Sequence, residues 1–452
     1  MPKRLMLALI LLPACRAQGG ASQKPVYKML FSPSSNAYGT NPASMFETQP
    51  GLFYFYSLYT GGNSIITVTS AGTSNLIYTL PTSWSVYSLL QNTNQLLYGA
   101  GAYYTNPQET SINRVYFSLD PSGKNLQQYP LPAMWGSAGR SVLAPPAEIY
   151  DIFAASPRSG TLYAFGRVEE NGDITVLHQF SASEGTPIGQ NLAYGADGNF
   201  YGVGYQESGG AGPGFIYRIT RSGVYSQILD FPAFATNGSY FPVIAASDHN
   251  LYGVFGGTAA NPGGVLYQAT LSGQLQTMAV FGKSISMSQP QTLMQAGDGN
   301  IYGTTTSNAV FRYDLGTHSL SLIYQLAIAQ ARCACQLIQG MDGKLYGITA
   351  TGGDYPGVGV VFSLDIGLAP PKPSVTVLAP AAAPVGGTVI LWGQYLLAAH
   401  SVTFNGTPAT TFTSTSGQSV RVTVPAGATT GPITVSTPNG SFTTTQNFTV
   451  QE

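Results

Sequence analysis

Four aspartates, Asp197, Asp248, Asp298 and Asp342, each stand four residues ahead of a tyrosine in a recurring stretch such as Asp298-Gly-Asn-Ile-Tyr-Gly303. Carboxylates repeated at one structural position could ring a cation. The same residues, in Asp-Gly and Asp-x-Asn pairs, are strong turn formers, and a repeated turn needs repeated turn residues. The histidines, His178, His249, His318 and His400, are scattered and share no repeat position. No His-Glu-x-x-His, Gly-x-Ser-x-Gly or Walker-type loop occurs. Cys333 and Cys335 are one residue apart, with no second pair and no nearby His to complete a zinc site. They read as two small buried residues on a strand, as a strained disulfide, or as a redox pair. No catalytic, cofactor-binding or metal-ligating residue is assigned from these patterns.

Aromatic residues offer a better prospect for binding. Tyr59, Tyr103, Tyr104, Tyr205, Tyr240 with Phe241, and Tyr355 fall in Gly-rich or polar connections. Aromatic faces with polar tips suit sugar rings and extended peptides. The competing reading is that they pack between structural repeats.

The background is almost uncharged. Eighteen Lys+Arg against nineteen Asp+Glu give a net charge of −1, and charged residues make up 8 % of the 452-residue chain, against about 25 % in an ordinary soluble protein. That balance excludes a nucleic-acid binder driven by a basic field, and equally a polybasic membrane patch or an acidic tail. With 44 % hydrophobic and 12 % aromatic residues there is ample material for a core, while 54 Gly and 30 Pro point to many turns and few long helices.

Lys3 and Arg4 precede the apolar run Leu5–Leu12, followed by Pro13-Ala14-Cys15. Eight apolar residues cannot cross a hydrocarbon core of about 30 Å, so residues 1–17 read as a secretory signal. Leu12-Pro13-Ala14-Cys15 resembles a bacterial lipobox, in which Cys15 would be lipidated and would supply the only membrane contact. The alternative is cleavage after Ala17, with Cys15 discarded. Either way the expected location is outside the cytoplasm, in the cell envelope, at the surface or in the medium.

Beyond the signal the chain repeats. A turn, an aromatic strand built on Leu-Tyr-Gly, a Gly-rich loop, a Val-Phe-type strand, a polar turn and a strand ending in Phe or Leu recur in that order. The anchoring tyrosines are Tyr54, Tyr98, Tyr163, Tyr201, Tyr252, Tyr302 and Tyr346, spaced by 44, 65, 38, 51, 50 and 44 residues. Six anchors are followed by a closing strand, but the seventh runs into Pro370-Pro-Lys-Pro373. Val26–Phe31 has closing-strand character and precedes the first anchor, so it is expected to complete the last repeat. The period matches four-stranded propeller blades. The expectation is an all-β chain: a seven-bladed β-propeller over residues 24–366 with N-terminal strand closure, a Pro-rich linker at 367–373, and a second β domain at 374–451.

Two resemblances sharpen this expectation. Asn300-Ile-Tyr-Gly-Thr-Thr-Thr306 and Leu345-Tyr-Gly-Ile-Thr-Ala-Thr-Gly-Gly353 with Gly359-Val-Val-Phe362 resemble the GloVer-type tandem repeat of exported bacterial proteins, which implies a propeller-like module and carries no catalytic residues. Val385-Gly-Gly-Thr-Val-Ile-Leu-Trp-Gly393 and Val420-Arg-Val-Thr-Val-Pro-Ala-Gly-Ala-Thr-Thr-Gly-Pro-Ile-Thr-Val435 resemble an IPT/TIG domain, an immunoglobulin-like sandwich used as a spacer or contact module. The resulting expectation is a monomeric, cofactor-free binding protein that holds a glycan or a surface protein on one propeller face. A propeller-fold polysaccharide hydrolase or lyase is the alternative.

Overall fold

The computed structural model describes residues 24–32, 40–58, 63–81, 84–103, 113–131, 136–137, 141–155, 162–169, 171–187, 192–206, 214–231, 243–257, 261–282, 287, 289–327, 332–353 and 358–452. Strands dominate throughout, and the only helical element among these residues is the single turn Ala182–Glu184.

Up to residue 365 the strands form a series of antiparallel sheets. Sheet I runs through Thr40–Gln49, Leu52–Leu58, Ser64–Thr69 and Ser74–Thr79; sheet II through Trp84–Gln91, Leu97–Tyr103, Asn113–Leu119 and Gln127–Pro130. Sheet III begins with the short segments Gly136–Ser137 and Val142–Ala144, then takes Glu148–Ala155, Leu162–Val168 and Ile174–Gln179. Sheet IV begins with Thr186–Pro187 and Ala193–Tyr194, then takes Phe200–Tyr205, Gly214–Ile219 and Tyr225–Asp230. Sheet V is Ile244–Ala245, Leu251–Phe255, Val265–Ala269 and Leu275–Val280; sheet VI is Pro290–Gln295, Ile301–Thr305, Ala309–Asp314 and Ser319–Gln325. Sheet VII takes Arg332–Gln339, Leu345–Thr351 and Val361–Asp365, and its fourth strand is Val26–Phe31 from the other end of the chain. The register runs from Val26 opposite Asp365 to Phe31 opposite Val361.

The alternation of each strand puts one row of apolar side chains toward each neighbouring sheet. Tyr56 and Trp84 share a buried cluster with Phe117 between sheets I and II. Tyr116 and Phe153 join II to III, Phe165 and Phe200 join III to IV, and Ile216 and Phe255 join IV to V. Leu266 and Phe311 join V to VI, and Val310 and Phe362 join VI to VII. Phe31, Phe53 and Tyr346 then form a cluster between sheets VII and I, with Phe53 and Tyr346 ring centroids 4.1 Å apart.

One expected anchor is displaced. Tyr163 lies on the third strand of sheet III, paired to Ala154, while the position equivalent to the other anchors is Tyr150 on the second strand. With Tyr150 in place the spacings become 44, 52, 51, 51, 50 and 44. The sequence signal was weak there because Pro145-Pro146-Ala147 replaces the Asp-Gly turn and Ile149-Tyr150-Asp151 lacks the glycine. Val26 and Met29 are 54 % and 37 % exposed; Leu30 and Phe31 are the buried residues of the N-terminal strand.

Residues 374–451 form two sheets around their own core, with Val389, Leu391, Phe404, Val420, Ile433 and Phe448 buried. Pro371 in the preceding linker is buried, and packs so closely on Gly297 that a Cβ there would come within 2.7 Å.

Candidate functional site

Antiparallel order gives the array two distinct ends. The connections between first and second strands, and between third and fourth, share one end, here called the turn end. The connections between second and third strands, and between successive sheets, share the loop end.

At the turn end the repeated aspartates are occupied by their own hairpins. Asp197 Oδ1 accepts from the Asn199 backbone N–H at 3.2 Å, and its Oδ2 accepts from the Tyr201 hydroxyl at 2.7 Å. Asp248 does the same with Asn250 and Tyr252, Asp298 with Asn300 and Tyr302, and Asp342 with Lys344 and Tyr346. Burial pulls the Asp197 carboxyl upward, but the bonds from Tyr201 and Asn199 outweigh it and hold it below the usual range. Burial and the adjacent carboxylate raise Tyr201. The turn reading therefore accounts for these four residues. Among the described residues no three or more His, Cys, Asp or Glu converge to hold a metal ion. His178 sits beside Glu184, 3.2 Å away, stacked on Tyr225, and His318 Nδ1 lies 3.3 Å from the Tyr313 hydroxyl.

A second recurring position lies seven residues before four of the seven anchors, at the end of the first strand. Here stand Glu47, Gln91, Gln295 and Gln339. Gln295 Oε1 accepts from the Ser247 N–H of sheet V at 2.8 Å, and Gln339 Oε1 accepts from the Gly297 N–H of sheet VI at 2.7 Å. Glu47 Oε2 accepts from the Met341 N–H of sheet VII at 2.9 Å, and its Oε1 from the Gly51 N–H at 2.7 Å. Each thus fastens its sheet to the turn of the preceding one. Burial pushes the Glu47 carboxyl up to about 7 against the lowering effect of both N–H bonds, with the Asp342 charge adding to the rise. Gln91 Nε2 donates to Gln95 O at 3.1 Å, but among the described residues its buried Oε1 has no hydrogen-bond partner.

Gln91 lines a cavity of about 360 Å³. The first strands of sheets I, II, III and VII converge on it, and the C-terminal domain covers it with Gln394–Leu397 and Ser416–Gln418. Trp392 and Ile390 anchor this cover in the cluster with Tyr98, Leu143 and Ile149. The Tyr395 hydroxyl donates to Gln339 Oε1 at 3.3 Å, and Asn439 Nδ2 donates to Met341 O at 2.8 Å. Burial raises Tyr395 to about 12, with the Asp298 and Glu47 charges adding to the shift. Beside the cavity, Asp151 is 1 % exposed and its Oδ2 accepts from the Tyr116 hydroxyl and, at 3.0 Å, from Ser141 Oγ. Ser141 Oγ is 3.2 Å from Ser88 Oγ. Sequence reasoning assigned none of the cavity-lining residues, nor Asp151, to a site. A lone aspartate within the apolar strand Glu148–Ala155, and the recurrence of Gln or Glu seven residues before the anchors, were the available signals.

Of the expected binding aromatics, Tyr103 and Tyr205 are described, and both stand at the loop end. Tyr103 closes the second strand of sheet II and stacks on Trp84 at 5.0 Å with planes 6° apart, so its ring serves packing between strands. Tyr205 closes the second strand of sheet IV, half-buried. Tyr163 neighbours it: burial, then proximity to Tyr205, raises the Tyr163 hydroxyl. Tyr59, Tyr104, Tyr240, Phe241, Tyr355 and Cys15 lie outside the described residues, as do the side chains of Cys333 and Cys335. Among the described residues no helix is long and apolar enough to cross a membrane.

Residues 153–309 match the family described as Gloeobacter/Verrucomicrobia repeat. No curated protein matches the chain. Among solved structures, a catalytically inactive virginiamycin B lyase from Staphylococcus aureus, solved with quinupristin, is similar over 75 % of this chain and 99 % of its own, at 15 % identity and TM-score 0.52. An oligogalacturonate lyase from Vibrio parahaemolyticus covers 76 % and 98 % at 11 % identity and TM-score 0.51, and the WD40 β-propeller domain of Doa1 covers 75 % and 97 % at 10 % and 0.50. The fold up to residue 365 is therefore propeller-like; at these identities the likeness speaks to fold alone.

Proposed function

We propose that this chain is an exported, non-catalytic binding protein. In this reading the seven sheets close as blades of one propeller, the C-terminal domain is an IPT/TIG-like sandwich, and the loop end engages a glycan or a protein. The observation that carries it is the crowding of the turn end by the chain itself. The N-terminal strand enters there, since Val26 lies opposite Asp365, and the C-terminal domain docks there through Trp392 and Tyr395. The loop end is taken as the partner's face, with Tyr163 and Tyr205 near enough there for one hydroxyl to influence the other. A fragment spanning residues 24–452 screened on a glycan array and in pull-downs tests the reading. Capture should weaken in Tyr163→Ala and Tyr205→Ala and survive removal of residues 373–452. Turnover of a polysaccharide by the fragment would overturn the non-catalytic reading in favour of a hydrolase or lyase.

A further inference from the structure

We propose that the cavity under the C-terminal domain is a second binding site, separate from the loop end, for a neutral polyhydroxyl ligand of monosaccharide size. Its volume, about 360 Å³, lies at the low end of the roughly 300–1,000 Å³ usual for small-molecule sites, which admits one ring rather than an oligomer. Among the described residues the lining contains no Lys or Arg, and its single carboxyl, Glu47, already accepts two backbone N–H groups. Among these residues neither an anion nor a cation would find an uncommitted counter-charge. The remaining polar lining is amide and hydroxyl, including Ser88, Gln336 and Gln418, set between Met45, Leu89 and Leu143. Alternating polar groups and apolar faces are what a sugar ring presents in return.

Gln91 gives the site its direction. At the same repeat position Gln295, Gln339 and Glu47 each accept an N–H from the preceding sheet. By repeat position the corresponding amide for Gln91 would be that of Gln49, in the turn of sheet I, where the register shifts between Glu47 and Gln49. Gln91 Oε1 is left without a partner among the described residues, buried within a residue that lines the cavity, with its own Nε2 already committed to Gln95. An unmet buried acceptor is destabilising, and a ligand hydroxyl donating to it would relieve that cost. Because both domains line the cavity, a bound ligand would also fasten one to the other and raise the melting temperature.

The test uses the fragment spanning residues 24–452 and a panel of neutral monosaccharides (glucose, galactose, mannose, N-acetylglucosamine), with ligand-observed NMR and thermal melting. At least one sugar should bind and raise the melting temperature. Gln91→Leu should melt higher than the parent without sugar, having lost an unsatisfied acceptor, and should bind that sugar at least about tenfold more weakly, the equivalent of one hydrogen bond. Gln295→Leu, whose side chain is satisfied and outside the cavity, should melt lower and keep the sugar-induced shift. Binding by none of the panel, or full affinity retained in Gln91→Leu, would overturn the proposal. Capture at the loop end would be unaffected by either result, so the two readings fail separately.

Discussion

Sheets IV to VII and sheets I to III solve the same problem with different chemistry. In IV to VII an aspartate pins the first hairpin by accepting from an amide two residues on and from the anchoring tyrosine four residues on. In sheet II an amide does the work: Asn94 Oδ1 accepts from the Leu96 N–H and its Nδ2 donates to the Tyr98 hydroxyl at 2.9 Å. In sheet III Tyr150 donates to Glu148 at 2.7 Å, and in sheet I Tyr54 reaches across to Pro121 O at 2.9 Å. Where the repeat is regular, turn and staple side chains are used up by the repeat itself. Where it is irregular, Gln91 lacks the staple's partner and Asp151 is buried against Tyr116 and Ser141, and the first strands of these three sheets supply most of the cavity wall that the array contributes. Departures from local consistency gathering at one place are the expected mark of a site under a second demand.

The comparison breaks most visibly at the seam between the two groups, where sheet VII meets sheet I. Deleting residues 18–32 would strip the outer strand from Val361–Asp365 and remove Leu30 and Phe31 from the cluster they share with Phe55 and Tyr346. Those two side chains account for about 3–6 kcal/mol, against a whole-domain stability of roughly 5–15 kcal/mol. The truncated protein should aggregate or melt far below the parent. Removing residues 373–452 should cost less, because it uncovers one face around Tyr98, Leu143 and Ile149 without opening a strand edge. If the two truncations melt in the opposite order, the N-terminal strand does not close the array.

A milder test compares the two turn chemistries directly. Asp298→Ala leaves the Tyr302 hydroxyl and the Asn300 N–H without their acceptor, a loss of about 1–3 kcal/mol for a charged partner. Asn94→Ala removes neutral bonds and should cost about 1 kcal/mol or less. Urea titrations of both variants decide it; equal losses would mean that charge adds nothing to the regular turns.

Glu47 sharpens the comparison through pH, because the three glutamines that share its position, Gln91, Gln295 and Gln339, cannot ionise. Its carboxyl is raised from 4.5 in the unfolded chain to about 7 in the fold. The folded state thus holds the proton more tightly, and its stability falls as pH rises between those values, then levels off. Melting temperature followed from pH 4.5 to 8, relative to Glu47→Gln, should decline by about pH 7, and a difference that stays constant with pH would refute the assignment.

How far the sequence revealed this arrangement depends on which chemistry a sheet uses. Asp-Gly-x-x-Tyr made sheets IV, VI and VII legible, because one rigid turn demands the same few residues each time. The apolar character of Val26–Phe31 marked it as a closing strand even out of order. Tyr150 stayed hidden because Pro145-Pro146-Ala147 makes its turn with unrelated residues, and the flanking intervals of 65 and 38 pulled the assignment to Tyr163. The cavity was illegible for a different reason. Glutamine and serine carry no motif of their own, and only pairing across the sheets shows that Gln91 lacks what Gln295 and Gln339 possess.

The smallest expected effect concerns backbone strain in that same turn. Gly198, Gly299 and Gly343 follow their aspartates with φ of +81°, +83° and +88°. In sheets II and V the equivalent residues are Gln95 and His249, held at +70° and +63°, with the hydrogen bonds of the turn intact. A side chain in this left-handed region costs about 1–2 kcal/mol, whereas glycine gives back roughly 0.5–1 kcal/mol through its greater freedom when unfolded. His249→Gly should therefore stabilise the protein by up to about 1 kcal/mol. Gln95→Gly should do so by less, because Gln95 O also accepts from Gln91 Nε2 and a looser backbone there would weaken that bond. Denaturant midpoints at unchanged slope would register both gains. Destabilisation in both variants would show that the two side chains support their turns, and that glycine in sheets IV, VI and VII is not needed for its conformation.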